Sequence, residues 1–108
     1  MSKRFHIAVA VNDIEATVRE YSHRLGAAPT LVVADEYALW RTETLNFSIR
    51  KTKEASGTVR HIGWEDPTAI GFTRETDANG LLWGHFTEQD QQAEIARLWP
   101  AAIAQKAS

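Results

Sequence analysis

Two short segments of related sequence, Phe5-His6-Ile7-Ala8 and Arg60-His61-Ile62-Gly63, open the two halves of this 108-residue chain. Each places a histidine directly before an isoleucine, and an arginine lies within two residues before each histidine. The repeat predicts two related modules whose first strands bring two imidazoles toward one site. By itself it does not distinguish a metal site from a site for a small molecule or from a place that holds nothing.

The composition is typical of a single globular domain. Hydrophobic residues make up 44% of the chain and charged residues 24%, and the net charge of −2 provides no general attraction to nucleic acid or to an anionic membrane. The chain has no cysteine, which excludes disulfides, thiolate ligands and a cysteine nucleophile and fits a reducing cytoplasm. No stretch approaches the roughly 18 apolar residues of a membrane helix. We therefore expect a cytoplasmic protein without nucleic-acid or membrane partners.

The first of the two segments continues as a strand followed by a helix. Residues 5–11 alternate between large apolar side chains, which should pack on a helix, and a second set of small side chains around His6. These small side chains leave room for a ligand beside the histidine. Asn12 followed by Glu15 resembles a capping box, and apolar residues at helical spacing lead to Gly26, where a left-handed cap should end the helix.

Alternating and apolar segments predict further strands along the rest of the chain. They lie at residues 30–33, 37–41, 45–51, 58–64 and 81–86, with 70–72 as a candidate short strand. In the fourth predicted strand, Asn46, Ser48 and Arg50 share one face, and Arg50 would attract a carboxylate or a phosphate. The pair Glu65-Asp66 is expected in a solvated turn.

The C-terminal part of the chain is predicted to form a turn, a strand and a helix. Asp77-Ala78-Asn79-Gly80 is a strong turn signal. Thr87 with Asp90 predicts a capping box for a helix over residues 88–104, which Pro100 should break or end.

The order of the elements is a strand, a helix and three strands, followed by a second strand like the first. Together with four sequence motifs, this order of elements resembles that of the vicinal oxygen chelate superfamily. The superfamily includes glyoxalase I, bleomycin-resistance proteins, extradiol dioxygenases and methylmalonyl-CoA epimerase. The motifs are Phe5–Val11 with Asn12-Asp13-Ile14 after it, Tyr21-Ser22-His23-Arg24-Leu25-Gly26, Arg60-His61-Ile62-Gly63, and Asp77-Ala78-Asn79-Gly80-Leu81-Leu82-Trp83.

The resemblance implies an α+β fold with a curved mixed β-sheet built from βαβββ modules. The chain would form one domain over residues 1–108. Its parts would be a first module over residues 4–52, an abbreviated second module over 57–87 and a C-terminal helix over 88–104. A shortened second module leaves sheet edges that a second chain would protect, so we expect a homodimer.

The same resemblance implies where a metal would be held. In metal-dependent members the opening strand of each module commonly supplies a histidine, which His6 and His61 match, and the closing strands commonly supply a glutamate. The glutamate positions fall at Ser48 and Gly84, so both carboxylates are absent. His85 lies beside the second position but would point to the other face unless the strand bulges. We therefore expect no cofactor, and keep as the alternative a divalent metal on His6 and His61 with a third ligand from His85 or from a partner chain.

The leading hypothesis is a small-molecule-binding protein of the glyoxalase or bleomycin-resistance type, with an organic ligand on the concave face of the sheet. The candidate ligand-binding residues are His6, Trp40, Asn46, Ser48, Arg50, His61 and Trp83. One alternative is a metal-dependent lyase, isomerase or dioxygenase that uses His6 and His61, and another is a protein-interaction module with an aromatic surface. The plainest interpretation is that the histidines and tryptophans are core side chains and the polar residues a solvated sheet face.

Overall fold

The computed structural model describes residues 2–101, which form seven strands and two helices. They follow the chain as β1 (Arg4–Val11), α1 (Ile14–Leu25), β2 (Leu31–Val33), β3 (Tyr37–Arg41), β4 (Leu45–Lys51), β5 (Val59–Glu65), β6 (Thr73–Thr76), β7 (Leu82–Phe86) and α2 (Glu88–Leu98). The fold class predicted from the sequence, α+β with a mixed sheet and a C-terminal helix, is confirmed at this level. No helix in this part of the chain is long and apolar enough to cross a membrane.

The seven strands form one sheet in the order β2-β3-β4-β1-β5-β7-β6. The same pairing occurs on both sides of the β1–β5 contact. Strand β1 is parallel to β4, which is antiparallel to β3, and β5 is parallel to β7, which is antiparallel to β6. The first half has in addition α1 and β2, which have no counterpart between β5 and β6. The two opening strands β1 and β5 therefore lie side by side in the middle of the sheet, antiparallel to each other.

One face of the sheet packs against α1. The buried core on this face consists of Val9, Val11, Ile14, Ala38, Trp40 and Ile49. The large side chains of the alternating pattern in β1 and β4 supply half of it, as the sequence predicted. Helix α1 ends at Gly26, whose φ of 69° is the left-handed conformation that was predicted for its cap.

The opposite face, which carries His6, packs against α2. Ile95 of α2 joins Leu31, Tyr37 and Leu39 in a second buried cluster. The predicted capping box is present, since the Thr87 side chain accepts from the Asp90 backbone N–H and the Asp90 side chain accepts from that of Thr87. The helix ends at Leu98, two residues before Pro100. The predicted helical residues 102–104 lie outside the described part of the chain.

Two local predictions are corrected by the structure. The N-cap of α1 is Asp13, whose side chain accepts from the Ala16 backbone N–H, and not Asn12. The candidate strand at residues 70–72 is not formed, because Gly71 has a φ of 74°, which is incompatible with an extended segment. Ile70 is 93% exposed there, and the next strand begins at Thr73.

Candidate ligand-binding cleft

The imidazoles of His6 and His61 meet on the face of the sheet that carries α2. In the antiparallel pair β1–β5, His6 lies opposite Gly63 and His61 lies opposite Ala8, so the two histidines are diagonal neighbours. Their ring centroids are 5.0 Å apart and the rings are tilted by 35°. Ala8 and Gly63, the residues opposite the two histidines, carry a small side chain and none.

A hydrogen bond fixes which nitrogen of His6 carries the proton. Nδ1 is 2.9 Å from Oδ1 of Asn46 and 3.1 Å from the backbone oxygen of the same residue. The side-chain amide is oriented by its NH2 group, which donates to the Glu65 carboxylate at 2.9 Å. Because both neighbours of Nδ1 are acceptors, Nδ1 carries the hydrogen, and Nε2 of the neutral ring keeps its lone pair.

Both imidazoles are neutral at neutral pH. Burial lowers the pKa of His6, although its hydrogen bonds to Asn46 and the charge of Glu65 act in the opposite direction. Burial also lowers the pKa of His61, and the neighbouring His6, Arg60 and Arg74 lower it further, to about 4. The site therefore offers imidazole nitrogens that accept a hydrogen bond or bind a metal rather than positive charges.

A buried polar network lies beneath the two histidines. Asn46 is fully buried, and its amide pairs reciprocally with the amide of Gln91 in α2, at 2.8 and 3.1 Å. The Glu65 carboxylate accepts from Asn46, from two nitrogens of Arg41 at 2.8 Å each, and from Arg4 at 3.1 Å. Burial alone would raise the pKa of Glu65, but the hydrogen bonds from Arg41 and Asn46 hold it below its usual value, so the carboxylate stays ionised.

The expectation of a solvated turn at Glu65-Asp66 is therefore wrong. Both residues are buried, since Glu65 belongs to β5 and Asp66 caps the following turn by accepting from Thr68. The alternation of β5 contained the signal that was missed, because Glu65 lies two and four residues after Gly63 and His61 and faces the same side.

A small cleft of about 60 Å³ lies beside the histidines, between the sheet and α2. Of the predicted ligand-binding residues, His6, Ser48, Arg50 and His61 line it, and Asn46 lies directly beneath. Further lining residues that the sequence did not single out include Tyr37, Arg60, Phe72, Arg74, Phe86 and Glu94. Arg60 directly precedes His61, and Tyr37 and Phe86 lie in predicted strands, so the sequence held a signal for these three. Phe72, Arg74 and Glu94 reach the cleft through the path of the chain around β6 and the docking of α2.

Two of the predicted ligand-binding residues, Trp40 and Trp83, lie away from the cleft. Trp40 is fully buried on the α1 face, where its Nε1 donates to the Ala27 carbonyl at 3.1 Å. Trp83 contacts Phe5 at a centroid distance of 6.5 Å, and its Nε1 donates to Asp77. Neither tryptophan lines the cleft, so that prediction is corrected. Strand alternation is the reason in both cases, since Tyr37 and Phe86, which line the cleft, lie an odd number of residues from Trp40 and Trp83 in β3 and β7.

His85 also lies apart from the other two histidines. Its Nε2 is 2.9 Å from Oδ2 of Asp66, and its side chain is 45% exposed. Gly84 and Phe86 on either side of it face Phe72 and His6 respectively. His85 therefore does not join His6 and His61 as a third ligand, and the bulge that would have turned it inward is absent from the β5–β7 pairing.

The described residues do not supply a complete metal site. Within residues 2–101, no group of three or more His, Cys, Asp or Glu side chains has the spacing needed to hold a metal ion. A catalytic zinc site usually has three protein ligands. His6 and His61 provide two, and the positions that would provide carboxylates hold Ser48 and Gly84. The donor set present in the cleft therefore falls one ligand short.

Comparison with models of known protein families found no match to this chain, and comparison with curated proteins found none either.

Proposed function

We propose that the protein binds a small organic molecule in the cleft beside His6 and His61, as a protein of the glyoxalase or bleomycin-resistance type without a complete metal site. The observation that carries the proposal is the cleft itself. It combines two neutral imidazoles, a buried serine and aromatic side chains. Polar groups that converge beside apolar and aromatic side chains are typical of sites for organic ligands.

The strand pairing supports the family resemblance. Each opening strand runs parallel to the closing strand of its own half, as in β1–β4 and β5–β7, and the two opening strands are adjacent. Ser48, in β4, lines the same cleft as the two histidines, and a side chain at Gly84, in β7, would point toward Phe72 of that cleft. These are the positions at which the resemblance leads us to expect the metal-binding carboxylates. Their absence favours binding over metal-assisted chemistry.

Helix α2 limits the size of the ligand. The cleft of about 60 Å³ is smaller than the ~300–1,000 Å³ of sites that enclose drug-sized molecules. Gln91 and Ile95 of α2 pack on the sheet beside it, and Glu94 pairs with Arg74 at 3.5 Å. A ligand of more than a few heavy atoms either extends out of the cleft or shifts α2 outward, and such a shift would break these contacts.

A metal-dependent lyase, isomerase or dioxygenase is the second candidate, and the orientation of His6 favours it. Its Nδ1–H donates to Asn46, and metal-binding histidines commonly donate their other ring N–H in this way. The lone pair on Nε2 is thus oriented. Within residues 2–101, Glu94 also lines the cleft but forms no metal-holding group with the two histidines, so a third ligand would have to come from a shift of Glu94 or from a partner chain.

One screen separates these candidates. Purified protein is tested against a broad panel of small organic molecules and, in parallel, against divalent metals, with thermal stability and tryptophan fluorescence as readouts. A ligand at about 100 times its Kd stabilises the folded state by roughly 2.7 kcal/mol, which a thermal scan resolves. We expect at least one organic compound to stabilise the protein, and His61→Ala to abolish the response. The His85→Ala variant, which changes a histidine on the other face, should leave the stabilisation by the compound unchanged.

Two other results would contradict the proposal. Stoichiometric divalent metal bound with sub-micromolar affinity, and lost in both His6→Ala and His61→Ala, would favour the enzyme. Silence across the panel, with a partner protein recovered instead, would favour the protein-interaction module.

We also infer that the protein forms a homodimer. The second half lacks a helix and a strand that the first half has, and all four residues of the edge strand β6 are exposed. An exposed edge strand offers unpaired backbone groups to a second chain. Sedimentation should give a dimer at micromolar concentration, and a monomer there would contradict this inference.

A further inference from the structure

We propose that the ligand of the cleft is an anion with a compact oxyanion group, a carboxylate or a phosphate, which binds to Arg50, Arg60 and Arg74. This inference rests on the proposed function, because it names the chemical class of the small molecule that the cleft takes.

The charge of the cleft differs in sign from that of the whole chain. Three arginines and one glutamate, Glu94, line it, whereas the chain carries a net charge of −2. The two histidines are neutral and do not change this balance of charge. An excess of positive charge in a partly enclosed depression attracts anions and concentrates them there.

Arg50 is the arginine best placed to bind an incoming anion. It projects from β4 into the cleft, and its guanidinium lies over the ring of Trp99, 5.1 Å from the ring centroid. Within residues 2–101 it forms no ion pair with a carboxylate, unlike Arg60 and Arg74. A guanidinium that contacts an aromatic ring rather than a carboxylate keeps N–H groups available, and its fork of donors matches the two oxygens of a carboxylate or phosphate.

The other two arginines form ion pairs that an anionic ligand could replace. Arg60 donates at 3.0 Å to Glu54, which lies in the exposed loop before β5. Arg74 is 3.5 Å from Glu94, which is longer than the ~2.7–2.9 Å of a good charge-assisted hydrogen bond. Glu94 is therefore a loosely held internal counter-ion, and an oxyanion of the ligand would take its place on Arg74.

The size of the cleft restricts what enters it without movement of α2. A cavity of about 150 Å³ holds benzene, and the cleft has about 60 Å³. This volume suits a group of a few heavy atoms, such as a carboxylate or phosphate, while the remainder of a larger ligand would lie outside or displace α2.

The test compares acetate with acetamide, which have nearly the same shape and differ in charge, and adds inorganic phosphate. Dissociation constants are measured in low-salt buffer by tryptophan fluorescence and by NMR. We expect acetate, phosphate or both to bind at least about tenfold more tightly than acetamide. Affinity for the anion should fall as salt is added, because salt screens the arginines.

Three variants assign the anion to the cleft. Arg50→Gln should weaken anion binding about tenfold or more, which is the effect of losing a charged hydrogen-bonding partner. Glu94→Gln should tighten it about two- to fivefold, because it removes the competing carboxylate from a partly exposed pair. Arg19→Gln, on the exposed surface of α1, removes the same charge elsewhere and should change nothing. Unfolding temperatures verify that each variant is folded, and Arg74→Gln replaces Arg50→Gln if the latter is not.

The outcomes separate this inference from the proposed function. Binding of only one of the two anions supports the inference and identifies the oxyanion. Acetamide, or neutral compounds of the wider panel, binding as well as acetate and losing affinity in His61→Ala would overturn the anion inference and leave the proposed function standing. Failure of every probe and every panel compound to bind would overturn both.

Discussion

Removing the side chain of Asn46 should strongly destabilise the protein, because this side chain joins the network beneath the cleft to helix α2. The Asn46→Ala variant deletes an amide that is fully buried and that contacts three different side chains. It accepts from His6 and Gln91 and donates to Gln91 and Glu65. Each of these partners is then left in the interior with one hydrogen bond fewer.

The expected cost follows from these contacts. The bond to the ionised Glu65 contributes about 1.5–3 kcal/mol, and the neutral bonds to Gln91 and His6 contribute about 0.5–1.5 kcal/mol each. Contacts that share one network are not additive, so we expect a total of about 3–5 kcal/mol. For a domain of this size, such a loss lowers the unfolding temperature by roughly 15 °C or more.

The assay is urea denaturation followed by far-UV circular dichroism, with thermal unfolding in parallel. Asn12→Ala, at an exposed asparagine, is the matched control and should change the free energy of unfolding by less than about 0.5 kcal/mol. A loss of under about 1 kcal/mol in Asn46→Ala would refute the reasoning, because it would mean that the network does not hold the site and α2 together.

Three further predictions concern the sheet, the first helix and pH. Gly63→Ala should lower the free energy of unfolding by at least about 3 kcal/mol, because the new Cβ would overlap the backbone of Gly84. Gly84→Ala, whose Cβ would meet only ordinary contacts, should lower it by under about 1 kcal/mol in the same denaturation assay. Asp13→Ala should cost about 1 kcal/mol through loss of the helix cap and Asn12→Ala almost nothing, and equal losses would contradict the assignment of the cap. Stability should fall as pH decreases from 6.5 toward 4, because the unfolded chain binds the proton of His61 in this range while the folded state, with its pKa lowered to about 4, does not. A His61→Phe variant should flatten this part of the pH profile, and an unchanged slope would contradict the assignment.

Strand alternation accounts for most of what the sequence predicted correctly. In β1 and β4 the period of two separates large apolar residues from small or polar ones, so both faces of these strands followed from the sequence. The contrast between Ile49, which packs toward α1, and Ser48, which faces the cleft, is the clearest case. The helix caps at Gly26 and Thr87 were predictable because they depend on local backbone hydrogen bonds.

Features that depend on long-range packing could not be predicted in this way. The docking of α2 over the cleft depends on Gln91 pairing with Asn46, 45 residues away in the chain. The alternation of β5 shows which face Glu65 occupies, but no local pattern shows that arginines from two other strands, β1 and β3, neutralise its carboxylate. The tryptophans were misplaced because composition alone does not assign an aromatic residue to a face when its strand is apolar on both sides.

The most direct test of a small-molecule cleft beside His6 and His61 is an NMR titration that follows the imidazole nitrogens of the three histidines His6, His61 and His85. The ligand is the organic compound that stabilises the protein most in the screen. We predict saturable shifts in the signals of His6 and His61 and none in those of His85, which lies on the other face of the sheet. A saturable response confined to His85, or binding without any change at His6 and His61, would contradict the account.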